Sequence, residues 1–205
     1  MRRLVVQEFV TLDGVIQAPG APDEDRDGGF ARGGWLVPLL DEAFMERIVA
    51  WVADAGALML GRGTYETFVQ HWPLTEPDDP VGSVFNRIPK YVASRTLAGA
   101  DWEGTTVIAD VPDEVRALKE QDGGDIQVHG SAGLLQTLLR EDLVDELRLM
   151  LTPVVVGPGK RLFGEGTAPG AFELVDLERL PTGIVLQTYR RDGALTMGSF
   201  GLEAE

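Results

Sequence analysis

Hydrophobic residues along this chain recur with two periods, one typical of strands and the other typical of helices. Residues 4–10 are rich in β-forming side chains, and residues 147–151 alternate with the period of a strand. Apolar residues between 134 and 139 share one face of a helix. Further strands are predicted at 57–60, 90–93, 105–109, 126–128, 171–180 and 184–189, and further helices at 41–51, 65–69 and 112–121. The last two strands are expected to pair antiparallel across a short turn at Pro181-Thr182-Gly183.

Residues 18–34 follow neither period. This stretch holds two prolines, five glycines and a cluster of Asp and Glu, all typical of a loop. A loop of this length inside a compact domain is either disordered or functional, for example as a lid or a ligand wall. We expect its acidic part, residues 23–27, to be a solvated face.

A turn of small residues joins the strand at 126–128 to the helix that follows it. The turn reads His129-Gly130-Ser131-Ala132-Gly133. Small residues let the backbone come close to a ligand, and the N–H groups of a first helical turn favour negative charge. The stretch therefore predicts an anion site, or else a tight turn in which Ser131 is only the N-cap of the helix.

Two other predicted strands end in residues suited to anions. Gly61-Arg62-Gly63-Thr64 combines a glycine turn, a helix start and a positive charge. Ser94-Arg95 pairs a hydroxyl with a guanidinium, which suits a phosphate monoester, although both residues would also be ordinary in an exposed loop.

Two familiar nucleotide-binding motifs are not supported. A dinucleotide fingerprint starting at Gly61 would need a third glycine where Glu66 stands, and a P-loop ending near Lys160 would need a glycine at Val154. Any phosphate-bearing ligand must therefore be held by another arrangement of turns.

The composition limits the classes of partner. The net charge of −15 argues against nucleic acid or an anionic membrane as a partner, since both require a basic surface. A length of 205 residues suits one domain with a sizeable core, which we expect at 1–192 with a tail at 193–205. The chain has no cysteine, no signal-like N-terminus and no apolar stretch of about 18 residues. We therefore expect a cytoplasmic protein.

The three turns, in this order and spacing, resemble those of the dihydrofolate reductase-like superfamily. The chain is most similar to the C-terminal reductase domain of the bifunctional riboflavin-biosynthesis deaminase-reductase and to its stand-alone relatives. The likeness runs from the first strand and residues 11–14 to about Tyr189, and includes Leu143-Val144-Asp145-Glu146-Leu147. It implies a three-layer α/β/α fold with a mixed, mostly parallel sheet and an antiparallel C-terminal edge.

The resemblance also implies NADPH as the cofactor. The segment at Arg95 would hold the adenosine 2′-phosphate, and the turn at Gly130, with a cis peptide expected between Gly130 and Ser131, would hold the pyrophosphate. The nicotinamide would reach the first strand. The residues expected to contact the cofactor are Thr11, Ile16, Gly61, Arg62, Gly63, Thr64, Ser94, Arg95, Gly130, Ser131, Ala132, Gly133 and Leu134.

The resemblance leaves the substrate and the proton donor open. Asp13 and Asp41 are the candidate catalytic residues, with an ordered water as a third source of the proton. The alternative for Asp13 is a turn with Gly14, and the alternative for Asp41 is the N-cap of a helix. Trp35 and His129 are candidate substrate contacts, but core packing of Trp35 and a strand-end role for His129 are the alternatives.

The function implied is reduction of a small heterocyclic or carbonyl-like substrate, resembling the 5-amino-6-(5-phosphoribosylamino)uracil reductase step of riboflavin biosynthesis. Reduction of dihydrofolate or another small molecule is one alternative. A non-catalytic ligand-binding dimer on the same fold is another, because fold does not fix function. We expect a homodimer, with the strand over residues 147–156 offering an apolar edge.

Overall fold

The structure is a computed structural model that describes residues 1–165 and 167–200. Its strands are β1 (Leu4–Thr11), β2 (Ala55–Gly61), β3 (Lys90–Ala93), β4 (Thr105–Ile108), β5 (Asp125–Val128), β6 (Glu146–Thr152), β7 (Phe172–Arg179) and β8 (Val185–Arg191). Its α-helices are α1 (Glu42–Ala53), α2 (Arg62–Phe68), α3 (Gly82–Arg87), α4 (Val111–Glu120) and α5 (Ala132–Arg140). All the predicted strands and helices are present. The short α3 was not predicted, because six residues are too few to show a helical period.

The strands form one sheet in the order β4-β3-β2-β5-β1-β6-β8-β7. In this spatial order, the first six strands pair in parallel. Strand β8 pairs antiparallel with β6, and β7 pairs antiparallel with β8. This arrangement confirms the expected mixed sheet with an antiparallel C-terminal edge.

Helices cover both faces of the sheet. On one face, Leu135 of α5 and Val115 of α4 pack with Leu4, Val6 and other sheet residues in one buried cluster. The opposite face packs against α1, α2 and α3 in two further clusters. The three-layer α/β/α architecture is therefore confirmed. The buried clusters stabilise the fold, because burying a large apolar side chain contributes about 1.5–3 kcal/mol.

The expectation of an apolar edge at residues 147–156 is wrong. Strand β6 pairs with β1 on one side and with β8 on the other, so its ladder is filled on both sides. The edge strand is β7, whose residues are mostly exposed. The homodimer itself stays a prediction.

A gap opens in the sheet where β1 and β5 part. They pair only as far as Val6 and Val128, while β1 continues along β6 to Thr11. After Val128 the chain turns away at Gly130, whose φ of +72° favours glycine. Residues of β1 beyond Val6 thus lose one neighbouring strand, which leaves room for a cavity beside them.

Two remaining expectations concern the tail and the membrane. Residues 193–200 hold no helix or strand, and residues 201–205 of the predicted tail lie outside the described part. Among the described residues, no helix combines the length and the apolar character needed to span a bilayer.

Candidate active site

A cavity of about 660 Å³ occupies the gap between β1 and β5. Its walls come from residues 7–9 of β1, the turn at 129–133, the exposed side of α2, the loop segment 16–26 and Lys160. In a sheet of this kind, ligands bind at the carboxyl ends of the strands where neighbouring strands diverge. The cavity therefore lies where the fold favours a ligand.

The turn at 129–133 requires close backbone packing. The peptide bond between Gly130 and Ser131 is cis, as expected from the resemblance. A β-carbon on Gly130 would lie 2.8 Å from the Oγ1 of Thr64, and one on Gly61 would overlap the side chain of Ser131. Glycine at these two positions therefore lets β2, the start of α2 and the turn meet at one point.

The N-terminus of α5 is open toward the cavity. Ser131 has the extended backbone of an N-cap, but its side chain makes no capping hydrogen bond. Ala132 and Gly133 in the first turn line the cavity, whereas the side chain of Leu134 is buried in the core. The backbone N–H groups of this turn lack helical partners and carry the positive end of the helix dipole. They are suited to bind an anion.

The two other predicted anion-binding segments meet beside α2. Nη1 of Arg62 donates to Oγ1 of Thr96 at 2.9 Å, and Nε of Arg62 donates to Glu66 at 2.7 Å. The hydroxyl of Ser94 accepts the N–H groups of Thr96 and Leu97, so it stabilises its own turn. The side chain of Arg95 is exposed. The structure thus brings Arg62 close to the 94–96 segment at the outer rim rather than on the cavity wall.

Glu8 on β1 is a cavity-wall residue that the sequence analysis missed. Its side chain is 7% exposed, and Oε1 has no hydrogen-bond partner among residues 1–165 and 167–200. Burial raises the pKa of Glu8 to about 8, and the nearby N–H of Gly130 offsets only part of this effect. At neutral pH the carboxyl therefore carries a proton.

A signal for Glu8 was present in the sequence. Gln7-Glu8 interrupts an apolar run in a strand flanked by Val6 and Phe9. Two adjacent polar residues in a central strand cannot both face solvent, because side chains alternate between the two faces. Nε2 of Gln7 also lacks a hydrogen-bond partner in the described part of the chain, and Gln7 also lines the cavity.

His129 lines the cavity at the end of β5, and its contact with a substrate stays a prediction. Its Nε2 lies 3.4 Å from Oε1 of Gln127, and its ring lies 5.4 Å from the ring of Phe85. The ring is half-buried among apolar neighbours, and burial lowers the pKa of His129 to about 4. The imidazole is therefore neutral at pH 7 and can donate or accept one hydrogen bond.

The structure does not place the two candidate catalytic carboxylates on the cavity wall. Oδ1 of Asp41 accepts the N–H of Phe44 at 2.8 Å, so Asp41 is the N-cap of α1. Asp13 accepts the Thr11 hydroxyl at 2.6 Å and the N–H of Gly157 at 2.8 Å. The Thr11 hydroxyl first, and backbone N–H groups next, lower the pKa of Asp13, so it holds no proton at neutral pH. Both carboxylates are occupied in stabilising turns.

Three further residues were predicted to contact the cofactor or the substrate, and the structure places them in different surroundings. Ile16 lies on the cavity wall, and the hydroxyl of Thr11 is buried, accepting the N–H of Val15 at 2.9 Å. Trp35 is 8% exposed and belongs to the core, where its Nε1 donates to the carbonyl of Gln17 at 2.8 Å. The core alternative for Trp35 is therefore the one that the structure shows.

The loop at 18–34 forms one wall of the cavity and is held by Lys160. Nζ of Lys160 lies 2.7 Å from Asp25 and 3.1 Å from Asp27. Gln17 adds hydrogen bonds to the carbonyls of both aspartates. Burial by itself would lower the pKa of Lys160, but the bonds to the two aspartates outweigh it and raise the pKa. The acidic residues expected on a solvated face thus include a pair that fastens the loop.

Comparison with known proteins agrees with this fold. Residues 2–186 match the model of the RibD C-terminal domain. The uncharacterized protein YyaP of Bacillus subtilis strain 168 is 28% identical over 195 residues, which cover 94% of this chain and 96% of that protein.

Two solved structures are similar at lower identity. A putative riboflavin biosynthesis protein from Shewanella sp. PV-4 is 22% identical with a TM-score of 0.66, covering 93% of this chain and 99% of that one. Dihydrofolate reductase from Enterococcus faecalis, complexed with NADP(H), is 14% identical with a TM-score of 0.61, covering 93% and 96%. At such identities the likeness establishes a shared fold. The chain belongs to the RibD C-terminal domain family and has the dihydrofolate reductase-like α/β fold.

Proposed function

We propose that this protein is an NADPH-dependent reductase of a small heterocyclic or carbonyl-like substrate. The observation that carries the proposal is the anion cradle on the cavity wall, formed by the Gly130–Ser131 turn and the open N-terminus of α5. Family membership and the NADP(H) of the Enterococcus faecalis structure support it.

The residues present fit a phosphorylated dinucleotide. Backbone N–H groups at Ala132 and Gly133 suit the pyrophosphate, because they supply donors without a side chain in the way. Arg62 and Arg95 suit a terminal phosphate such as the 2′-phosphate of NADPH. Against a net charge of −15, such local donors are needed to hold an anion.

The side chains of the cavity would then position the substrate. When bound, the reduced nicotinamide supplies the hydride, and the protein contributes placement and exclusion of water. Gln7 and neutral His129 offer hydrogen bonds to a polar heterocycle. The wall formed by loop 18–34 limits the access of water to this side of the cavity.

The first experiment is a titration of the purified protein with NADPH and with NADH, followed by tryptophan fluorescence or heat. We expect binding in the micromolar range for NADPH and weaker binding for NADH. Arg62→Ala and Arg95→Ala should each weaken NADPH binding by about 1 to 3 kcal/mol, the value of a charge-assisted hydrogen bond. They should affect NADH much less, since it lacks the 2′-phosphate.

A glycine pair tests the cradle itself. A β-carbon on either Gly133 or Gly99 would meet nothing within 4 Å, so neither substitution by alanine strains the fold. Gly133 lines the cavity, whereas Gly99 is in the loop after β3. We expect Gly133→Ala to weaken NADPH binding at least about tenfold by crowding the phosphate, which corresponds to 1.4 kcal/mol, and Gly99→Ala to leave it unchanged.

The outcomes separate the alternatives. If neither nucleotide binds, the reductase proposal fails. If NADPH binds tightly but no heterocyclic or carbonyl substrate is reduced in a broad panel, a ligand-binding protein on this fold becomes the better account. If dihydrofolate is the one substrate of the panel that is reduced, the protein is a dihydrofolate reductase, which was the alternative reductase function predicted from the sequence.

A further inference from the structure

Neither folding nor cofactor placement explains the carboxyl of Glu8, the acidic one of two cavity-wall residues whose side chains hold a buried atom without a partner in the described part of the chain. A buried polar atom without a partner is unfavourable by about 1–3 kcal/mol, so native chains seldom keep one without a use. Oε1 of Glu8 is such an atom within the described residues, and it lies on the wall beside the anion cradle. An ionised carboxylate there would need a positive partner.

Within residues 1–165 and 167–200, no basic side chain supplies a partner for Oε1 of Glu8. The ionisable groups elsewhere on the cavity wall are Glu24, Asp25, Arg26, Glu66, His129 and Lys160. Lys160 pairs with the aspartates of the loop, Arg26 is exposed to solvent, and His129 is neutral. On β1 itself, the neighbours Gln7 and Phe9 are uncharged, and the residues facing Glu8 from the turn are Gly130 and, across it, Thr64.

Side chains on β1 divide the gap into two sides. Phe9 contacts Phe44 of α1 at 5.8 Å between ring centres, so odd-numbered residues of β1 face α1. Even-numbered residues, including Glu8, face α5 and the cradle. Gln7 is therefore on the side of the gap opposite to Glu8. If the pyrophosphate of a dinucleotide lies in the cradle, its nicotinamide ring would enter the gap on the side of Glu8.

We propose that Glu8 holds a proton whose presence depends on the redox state of the cofactor. The proposal rests on the proposed function. Oε1 keeps the proton while the nicotinamide ring is neutral and has lost it when the ring is a cation. The ring then becomes the positive partner that the carboxylate otherwise lacks.

This coupling balances the reduction. A bound reduced nicotinamide would supply a hydride, with its two electrons, to the carbon of a substrate C=N or C=O bond. The substrate nitrogen or oxygen receives the proton of Glu8, and the double bond becomes a single bond. Glu8 would be left as a carboxylate, and one proton taken up from solvent would restore the acid once the oxidised cofactor has left. Asp13 and Asp41 cannot replace it, since their oxygens accept backbone N–H groups elsewhere.

The two nucleotides alone test this inference, without a substrate. NADP+ and NADPH carry the same phosphates, so the ratio of their affinities isolates the charge of the ring. Dissociation constants are measured from pH 6 to 9 for the intact chain, for Glu8→Gln and for Glu24→Gln. Glu24 is the matched control, because it is another carboxylate on the cavity wall. It accepts the N–H groups of Gly20 and Ala21, and the amide oxygen of glutamine can accept the same hydrogen bonds.

In the intact chain, preference for NADP+ should rise about tenfold as the pH increases through this range, the effect of a one-unit change in pKa. The preference for NADP+ rises with pH, because a higher pH ionises Glu8 and the cationic ring binds better beside a carboxylate. Glu8→Gln should abolish the rise, and Glu24→Gln should keep it. A ratio that does not vary with pH, or one that varies equally in Glu8→Gln, overturns the inference while leaving the reductase proposal intact. If neither nucleotide binds, the reductase proposal itself fails.

Carbon-13 spectroscopy provides a second measurement, first on the free protein and then with each nucleotide. The intact protein is labelled at the side-chain carboxyl carbon of Glu. The resonance of Glu8 is identified as the one that is absent from Glu8→Gln. In the intact protein without nucleotide, this resonance should titrate near pH 8. Added NADP+ should lower its midpoint, and added NADPH should not. A midpoint near the ordinary value of 4.5, or equal shifts with both nucleotides, contradicts the inference.

Discussion

Nη1 of Arg62 donates a hydrogen bond to Oγ1 of Thr96 at 2.9 Å, which joins the helix after β2 to the turn after β3. The two residues are 34 positions apart in the chain. They meet because β2 and β3 are adjacent parallel strands, whose carboxyl ends lie at the same edge of the sheet. The guanidinium is not free, since Glu66 accepts its Nε–H.

Glu66 is expected to compete with a bound phosphate for Arg62. We predict that Glu66→Gln strengthens NADPH binding about two- to fivefold relative to NADH, because the side chains are half exposed and such ion pairs contribute only about 0.2–1 kcal/mol. Calorimetric titration of both nucleotides measures this ratio. Asp113→Asn, which removes the carboxylate paired with Arg116 on α4, should leave it unchanged. A fall in NADPH affinity in Glu66→Gln would instead show that Glu66 holds Arg62 in place for the phosphate.

Lys160 is predicted to keep the 18–34 loop closed. Replacing it by methionine removes the ion pairs to Asp25 and Asp27 and should raise local opening about three- to tenfold, the effect of about 1 kcal/mol. Trypsin cleavage after Arg26 and Arg32 reports this opening. Lys119→Met, which breaks an ion pair with Asp145 away from the loop, is the control and should not change the rate. Equal cleavage rates in all three proteins would show that other contacts hold the loop.

Glu8 should make the protein less stable as the pH rises. The pKa of its carboxyl is about 8 in the folded protein and near the ordinary 4.5 in the unfolded chain. Between these values the folded state binds more protons, so the free energy of unfolding falls with increasing pH, by at most about 1.4 kcal/mol per pH unit. Urea unfolding at pH 5, 6, 7 and 8 should show this decline relative to Glu8→Gln, which lacks the titrating group. Parallel curves for the two proteins would contradict a raised pKa.

His129 should act in the opposite direction at lower pH. Because burial lowers its pKa from 6.5 to about 4, the unfolded chain binds a proton first as the pH falls below 6.5. The stability contributed by the neutral ring is therefore full above pH 6.5 and declines toward pH 4. We expect the difference in unfolding free energy between the intact chain and His129→Gln to shrink over this range by less than about 1 kcal/mol per pH unit, since the ring is only half-buried. His71→Gln serves as the control for the other histidine of the chain.

Asp41 tests whether the predicted acid is structural. Asp41→Ala should lower the unfolding free energy by about 1 kcal/mol through loss of the N-cap, and Asp41→Asn should restore most of it. Neither change should alter NADPH affinity, because the carboxylate caps α1 outside the cavity wall. Thermal unfolding and the nucleotide titration together distinguish the two roles. A large loss of turnover in Asp41→Asn with unchanged stability would return Asp41 to the catalytic candidates.

The order and type of nearly all elements were predictable from the pattern of residues alone. Periodicity located β1, α1 and the later strands, because burial of one face imposes a regular spacing on apolar residues. Turn chemistry located the glycine turn at 130–133, because close backbone approach excludes larger side chains. The short α3 was missed, as a single helical turn with a few buried residues has no measurable period.

Which polar residues share a site depends on how the strands and helices pack, and the residue pattern does not contain that information. Asp41 and Asp13 are as suitable by type as Glu8, yet Asp41 caps α1 and Asp13 accepts backbone N–H groups of a loop. Glu8 lies on the cavity wall, and its Oε1 has no partner among the described residues. The position of β6 inside the sheet, rather than at its edge, likewise depends on pairing with β1 and β8. Spacing along a chain records which face of an element is buried. It does not record where two strands part, and that separation of β1 from β5 is what creates the cavity and leaves Glu8 inside it.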